Sequence, residues 1–103
     1  MCEEKRKEPG RGLIFGLVSL TILKLLSKGD SHGYILSKRV NDIFGRPVDK
    51  PVIYMALKRL EERGYVESRW VTSPSGPAKK VYHLTEEGRR YLEKKLECLV
   101  KLM

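Results

Sequence analysis

Residues 50–71 read KPVIYMALKRLEERGYVESRWV, and this stretch decides the fold because its hydrophobic period changes part-way along. Its first half places one apolar stripe at positions i, i+4 and i+7 of a helix, formed by Ile53, Leu57 and Leu60. Gly64 ends that helix, since glycine readily adopts the left-handed conformation after a last turn. The residues that follow, 65–71, are rich in strand formers. The sequence therefore predicts a helix over 50–63 that leads directly into a strand.

Two further helices are predicted upstream of this stretch. Apolar residues cover nearly the whole circumference of a helix over 13–28, so we expect it to be buried on most sides at the centre of the core. Asp30 and Ser31 are suitable caps for a second helix that begins at His32, and the sequence Gly-Arg-Pro at 45–47 ends it. The loop between these two helices is short, so they must cross at an angle.

A β-hairpin and a last helix are predicted downstream. Residues 72–77 are all turn formers, which indicates a long, flexible tip between the first strand and a second one over 79–84. Thr85 caps a helix over 86–103. This order is typical of a mainly α protein with a small β-hairpin, a winged helix-turn-helix fold followed by a C-terminal helix. The predicted parts are a flexible charged arm at 1–11, the winged domain at 12–85 and the C-terminal helix at 86–103.

Composition excludes several classes of protein. The 103 residues suffice for one domain with a modest core. The two cysteines and two histidines (Cys2, Cys98, His32 and His83) lack metal-ligand spacing, and neither a nucleophile–base pair nor a phosphate-binding glycine loop appears. We therefore expect no metal, no cofactor and no enzymatic activity. The apolar run over 13–26 is shorter than the ~20 residues of a membrane span and lacks a cleavage site after it. A cytoplasmic protein with reduced thiols is expected.

A basic excess points to a polyanionic partner. The formal net charge is +8, and from Lys38 to Lys80 ten basic residues face five acidic ones. Two helices at an angle followed by a hairpin are suited to presenting the second helix to the major groove of double-stranded DNA. The predicted DNA contacts lie on that helix and on the hairpin, or wing: Lys50, Val52, Tyr54, Met55, Lys58, Arg59, Arg69, Lys79 and Lys80. Lys50, Val52 and Met55 would point outward to base edges, and Tyr54 and Lys58 would lie where phosphates run. A core position with the hydroxyl at the edge is an equal alternative for Tyr54, and the core is favoured for Tyr34.

Several stretches resemble one family, the PadR-like transcriptional regulators. They are Ile22–Leu26, His32-Gly33-Tyr34, Ile53–Glu61, Gly64–Ser68 and Tyr82–Gly88. The resemblance implies a winged-helix dimer that represses promoters and, in some members, releases DNA when a small ligand binds. A single C-terminal helix is similar to the shorter branch of the family. Pro51 and Val52 depart from the small or hydroxylated residues that often precede the hydrophobic-Tyr pair, and Val52 cannot donate a hydrogen bond to a base.

The last helix predicts a homodimer. Leu92, Leu96, Leu99 and Met103 form one apolar seam at spacings of four, three and four. An exposed seam would be a liability in a soluble protein, so a second copy is expected to cover it. The alternative is that this helix folds back on the first helix of its own chain.

Two questions stay open at the level of sequence. Trp70 either covers the hairpin or forms the floor of an effector pocket between subunits, suited to a flat or amphipathic small molecule. The competing function is a winged-helix module that binds protein instead of DNA, because a fold does not fix its function.

Overall fold

The structure is a computed structural model that describes residues 9–102, with side chains from residue 12. It has four helices and a three-stranded sheet in these residues: α1 (Pro9–Leu26), β1 (Ser31–His32), α2 (Gly33–Phe44), α3 (Lys50–Glu62), β2 (Val66–Ser73), β3 (Gly76–Leu84) and α4 (Glu86–Leu102). The predicted fold class is confirmed. The predicted arm lies mostly outside the described residues, and its last three residues, 9–11, are the first turn of α1.

The sheet contains one strand that the sequence did not predict. All pairings are antiparallel and the order is β1-β3-β2, with Ser31 opposite Tyr82 and His32 opposite Val81. Ser31 was predicted as a helix cap, but it lies in this strand and α2 begins after His32 without a side-chain capping bond. Two residues are too few to show the alternation of apolar and polar side chains that marks a strand. They are a strand only because they pair with the edge of β3 that β2 leaves uncovered.

The wing is tighter than predicted. β2 continues to Ser73 and β3 begins at Gly76, so the tip is the two-residue turn Pro74-Ser75. The expectation of a long tip is therefore wrong. The strands stay paired up to Ser73 and Gly76, with a shift in register after Val71 that absorbs one residue, as a β-bulge does.

The core is built around the C-terminal half of α1. Val18, Ile22 and Leu23 are completely buried there and form one cluster with the apolar faces of α2, α3 and the sheet. The N-terminal half of α1 extends past this cluster, so Leu13 and Ile14 are exposed, and so is Leu17. The prediction that α1 is buried on most sides therefore holds only for its second half. No helix among the described residues is long and apolar enough to cross a membrane.

Thr85 and Gly88 fix the start of α4. The Thr85 hydroxyl accepts a hydrogen bond from the Gly88 N–H at 3.0 Å, which is the predicted cap, and it donates to the carbonyl of Gly64 at 2.7 Å. Gly88 is buried directly against the Tyr65 carbonyl, a position that leaves no room for a Cβ. One turn later the rings of Tyr65 and Tyr91 stack with their centroids 4.2 Å apart.

Leu92 is the last buried residue of α4. It is only 4% exposed and belongs to the core of its own subunit, whereas the side chains from Glu93 to Leu102 are all exposed. The prediction that Leu92 lies in a dimer seam needs correction, because the packing of α4 on α1 leaves it almost no surface for a partner. Met103 lies outside the described residues.

Candidate nucleic-acid interface

Helices α2 and α3 form the predicted helix-turn-helix. Gly45 ends α2 in the left-handed conformation, with φ of 71°, and its N–H donates to the carbonyls of Asn41 and Asp42. The side-chain oxygen of Asn41 then accepts a hydrogen bond of 2.8 Å from the Val48 N–H. These bonds hold the turn in a defined path, so the direction in which α3 leaves the core is fixed relative to α2.

A close contact between Gly33 and Tyr54 sets the spacing of the two helices. Gly33 is buried, and a Cβ at this position would lie 3.0 Å from Cε1 and 3.2 Å from the hydroxyl oxygen of Tyr54. The glycine of the His-Gly-Tyr sequence therefore lets the Tyr54 ring lie against the start of α2. Because that contact covers only part of the ring, Tyr54 remains half exposed.

The exposed surface of α3 carries most of the residues predicted to contact DNA. Lys50, Met55, Lys58 and Arg59 are exposed. Val52 is half-buried and packs against the core, so the prediction that it points outward is wrong. It lies beside Ile53 and one turn before Ala56, both of which are buried where α3 packs on α1.

Arg59 is oriented towards α1. Its guanidinium lies over the ring of Phe15, 5.6 Å from the centroid, in a cation–π arrangement. A phosphate contact by Arg59 would have to compete with this position.

The two faces of the wing carry different predicted contacts. Residues paired directly across the ladder share a face, so Trp70 lies with Lys80, and Val71 lies with Lys79. Ser68 is on the same face as Trp70, and its hydroxyl donates a hydrogen bond of 2.6 Å to Glu61 of α3. The Trp70–Lys80 face is therefore the one beside α3, while Lys79 and Arg69 lie on the opposite face.

Arg69 is engaged by an acidic partner that sequence reasoning missed. Its Nη1 lies 3.5 Å from Asp30 Oδ2, and Nδ1 of His83 lies 2.9 Å from Asp30 Oδ1. The hydrogen bond with His83 and the nearby charge of Arg69 hold the pKa of the Asp30 carboxyl below its ordinary value. No signal in the sequence pointed to this cluster, because Asp30 and His83 are 53 positions apart and Asp30 resembled a helix cap.

Lys80 lies between two aromatic rings. Its Nζ is 5.9 Å from the centroid of Trp70 and 5.8 Å from that of Tyr82. The Tyr82 hydroxyl faces α3, where burial, with the nearby Glu61 and Tyr54, raises its pKa. Trp70 is at the outer end of this row and is 66% exposed.

A second cation–aromatic pair lies on α2. Tyr34 is 58% exposed, with Lys38 Nζ 5.5 Å from the centroid of its ring. The sequence favoured a core position for Tyr34, and this is wrong. The spacing of four residues between the two side chains was the available signal, because it places them on one exposed helix face.

The residues predicted for dimerisation separate into two groups. Leu96 and Leu99 are exposed, as predicted, and Leu92 is buried within the subunit. The structure adds Val100 and Leu102 on α4 to the exposed apolar residues, together with the N-terminal half of α1. Trp70 lies on β2, which packs on β3 and α3, so the predicted effector residue and these apolar residues belong to different elements.

Comparison with known proteins assigns the chain to a family. A family model described as the PadR-like family of transcriptional regulators matches residues 22–94. The chain belongs to the PadR-like family of transcriptional regulators. Members of this family are regulators and not enzymes, which confirms the expectation that this chain is not an enzyme. Among the described residues, no three His, Cys, Asp or Glu side chains are grouped in a way that could hold a metal ion.

Three relatives illustrate the similarity of this PadR-like chain. The transcriptional regulator YqjI of Escherichia coli (strain K12) is 37% identical over 84 residues, which are 80% of this chain and 39% of YqjI, so the chain spans about two fifths of that relative. The transcriptional regulator Cth-833 of Clostridium thermocellum is 31% identical, with a TM-score of 0.77 and coverage of 88% and 87%. Bacillus subtilis PadR in complex with operator DNA is 29% identical, with a TM-score of 0.70, covering 78% of this chain and 46% of that one.

Proposed function

We propose that this PadR-like regulator binds double-stranded DNA as a homodimer and represses the promoters to which it binds. The observation that carries the proposal is the placement of exposed basic residues on α3 and on the wing, on a fold similar to that of an operator-bound PadR. A regulator of this kind acts where the chromosome is, so we place it in the cytoplasm.

Each element has a distinct role in the proposed complex. Helix α3 enters the major groove from its N-terminal end, where Lys50 and Met55 are exposed and reach base edges. Tyr54 and Lys58 contact the phosphates at the edge of this groove. The wing follows the adjacent minor groove, with Lys79 and Lys80 supplying positive charge. Val52 contributes by packing α3 onto the core instead of reading a base.

Arg69 has a more limited role in this proposal. Its ion pair with Asp30 keeps the guanidinium on the face of the wing opposite α3. A contact to phosphate would require Arg69 to leave or share that carboxylate. We therefore assign most of the phosphate binding by the wing to the two lysines.

The proposed dimer uses exposed apolar residues of both terminal helices. Leu96 and Leu99 continue along α4 beyond the core, and the N-terminal half of α1 adds Leu13 and Leu17. Covering these side chains by a second copy would bury apolar surface that one subunit leaves in water. Two-fold symmetry then presents two copies of α3 to the half-sites of an inverted repeat, ~34 Å apart or a multiple of that distance.

Release of DNA by a small effector is a further part of the proposal, and only the family resemblance and the exposed Trp70 support it. Fluorescence of this single tryptophan across a panel of aromatic compounds tests it. Unchanged emission and unchanged DNA binding for every compound would count against an effector that stacks on Trp70.

The test of DNA binding is a salt titration. The double substitution Lys79→Ala and Lys80→Ala should weaken binding to specific and random duplexes about equally and flatten the salt dependence by roughly one unit per lost contact. The control is Lys94→Ala with Lys95→Ala, which removes the same charge from an adjacent lysine pair on α4. Equal salt slopes for the two double variants would refute the role of the wing. If the wild type binds no duplex at low salt, a protein-binding module becomes the better assignment.

The test of the dimer is the double substitution Leu96→Asp and Leu99→Asp. Both side chains lie outside the core, so the variant should remain folded by circular dichroism while it sediments as a monomer and binds DNA far more weakly. A wild type that sediments as a monomer at micromolar concentration would contradict the dimer and, with it, the inverted repeat.

A further inference from the structure

We infer that Trp70 is itself a DNA-contacting residue, which lies against the sugar–phosphate backbone between the two grooves and holds Lys80 towards a phosphate. This inference rests on the proposed binding of double-stranded DNA. It adds to that interface a residue that is not among the predicted DNA contacts. The site consists of Trp70 and Lys80 on the wing together with Tyr54 and Lys58 on α3, named here the groove strip.

The first step is that one face of α3 lies beside the Trp70–Lys80 face of the wing. Tyr54 and Glu61 of α3 both lie close enough to the Tyr82 hydroxyl to influence its pKa, and Glu61 also accepts the Ser68 hydrogen bond. Lys58 lies four positions after Tyr54 and three before Glu61, so it shares their helix face. The face of α3 turned towards the wing thus carries an aromatic ring and a cation, and both are exposed.

The second step is that the wing continues this surface outward. The cross-strand pair Trp70–Lys80 follows Ser68 and Tyr82 along the same face of the sheet. The Lys80 ammonium lies within 6 Å of the centroids of both Trp70 and Tyr82, so it is held above the sheet and not free in solvent. Beyond it the indole of Trp70 is 66% exposed, which is unusual for the largest apolar side chain.

The third step is the geometry of the duplex. A major groove and its neighbouring minor groove are separated by one sugar–phosphate backbone. If α3 lies in the first and the wing follows the second, the backbone between them must pass across the surface that joins α3 to the wing. The groove strip is that surface. It offers Lys58 and Lys80 to the phosphates, and in Trp70 it offers a flat ring to a sugar and an indole N–H to a phosphate oxygen.

The exposed ring is better matched to a backbone than to a small molecule. A ligand pocket encloses most of its ligand, whereas β2 carries Trp70 on an open strand face near the wing tip. The neighbouring cation favours an anionic partner. Duplex DNA is therefore the occupant to which the charge and the shape of the groove strip correspond.

The single tryptophan makes the contact directly observable. Acrylamide, a neutral quencher, should reach Trp70 freely in the unbound protein. Saturation with a short duplex of mixed sequence at low salt should lower the quenching constant severalfold, because backbone contacts do not depend on sequence. Binding is followed separately by the anisotropy of labelled DNA. Saturated binding with an unchanged quenching constant would overturn the inference.

Variants measure the contribution to affinity. Trp70→Ala should weaken duplex binding about threefold to tenfold, the range expected for a lost stacking and cation–π contact, while Trp70→Phe keeps most of the affinity. The matched control is Val71→Ala, at the next exposed position on the opposite face of β2. Lys80→Gln should lower the salt slope by about one, and Trp70→Ala by less than one, since the indole carries no charge.

The possible outcomes distinguish the role of Trp70 from the proposed binding of duplex DNA. A wild type that binds no duplex overturns both. A wild type that binds with a steep salt dependence, while Trp70→Ala binds equally well and the quenching constant stays unchanged, overturns only the role of Trp70. Protection of Trp70 by aromatic compounds but not by duplex would also overturn it, in favour of an effector site on the wing.

Discussion

Replacing Gly88 by alanine should detach the start of α4 from the core. The new Cβ would lie 2.7 Å from Leu84 Cδ1 and 2.9 Å from the Tyr65 carbonyl carbon, and closer still to the carbonyl oxygen. A backbone carbonyl cannot move aside as the end of a flexible side chain can. The helix must therefore shift outward, and that shift also lengthens the hydrogen bond from the Gly88 N–H to the Thr85 hydroxyl.

The expected loss follows from these contacts. Forcing one extra carbon into a packed site costs ~1–3 kcal/mol, and loss of the cap costs a further ~1 kcal/mol. The better helix propensity of alanine offsets ~0.5–1 kcal/mol of this loss. The net loss in the free energy of unfolding is ~1–3.5 kcal/mol, which lowers the Tm of a domain of this size by ~4–28 °C.

The assay is thermal denaturation followed by circular dichroism at fixed protein concentration, because the proposed dimer would make Tm depend on concentration. Gly16→Ala is the matched control, since a Cβ at this helical glycine meets no atom within 4 Å. It should raise the free energy of unfolding by ~0.5–1 kcal/mol. A Tm for Gly88→Ala within a degree or two of the wild type would refute the reasoning from the close approach to Tyr65.

Substitutions at three more positions probe the packing and the charges of the fold. Asp30→Asn should lower the free energy of unfolding near neutral pH, because the folded state holds the pKa of this carboxyl below its unfolded value of about 3.9 through the hydrogen bond with His83. The difference in the free energy of unfolding between wild type and variant should be present above pH ~3.9 and vanish as the pH falls through the folded pKa of Asp30. Urea denaturation at several pH values measures it, and a difference that does not change with pH would contradict this reasoning. Leu57→Ala should lower the free energy of unfolding by ~2–5 kcal/mol at an unchanged m-value, because Leu57 is enclosed in the core. A loss below ~1 kcal/mol in urea denaturation would contradict that enclosure. Tyr91→Ala should lower the free energy of unfolding by ~1 kcal/mol or more because it removes the stack on Tyr65, whereas Tyr91→Phe keeps the ring and should cost much less. Equal Tm values for the two variants would argue against the stack.

Local signals in the sequence determined most of the elements. The change from a helical to a strand period within residues 50–71 correctly placed α3, its end before Gly64 and the start of β2. Thr85 was recognised as the cap of α4, and its hydroxyl makes the capping bond. These features depend on neighbours within about four positions, so the amino-acid order alone specifies them.

The candidate site was predictable only in part. The exposed lysines of α3 and the wing were found from charge and period, but the face on which each wing residue lies depends on the register of β2 with β3. That register separates Lys80 and Trp70 from Lys79 and Arg69. The row formed by Trp70, Lys80 and Tyr82 follows from it, and no pattern along one strand could show it.

The sequence by itself determined the order of the four helices and the two wing strands, the basic excess and the absence of a catalytic motif. Only the tertiary structure decided which apolar residues are covered. Leu92 and Leu96 look alike in the period of α4, yet the first is buried and the second exposed because α4 extends past the end of the core. The pairing of Asp30 with His83 likewise arises from the path of the chain. Burial and long-range pairing depend on where distant segments meet in space, and a local period carries no information about that.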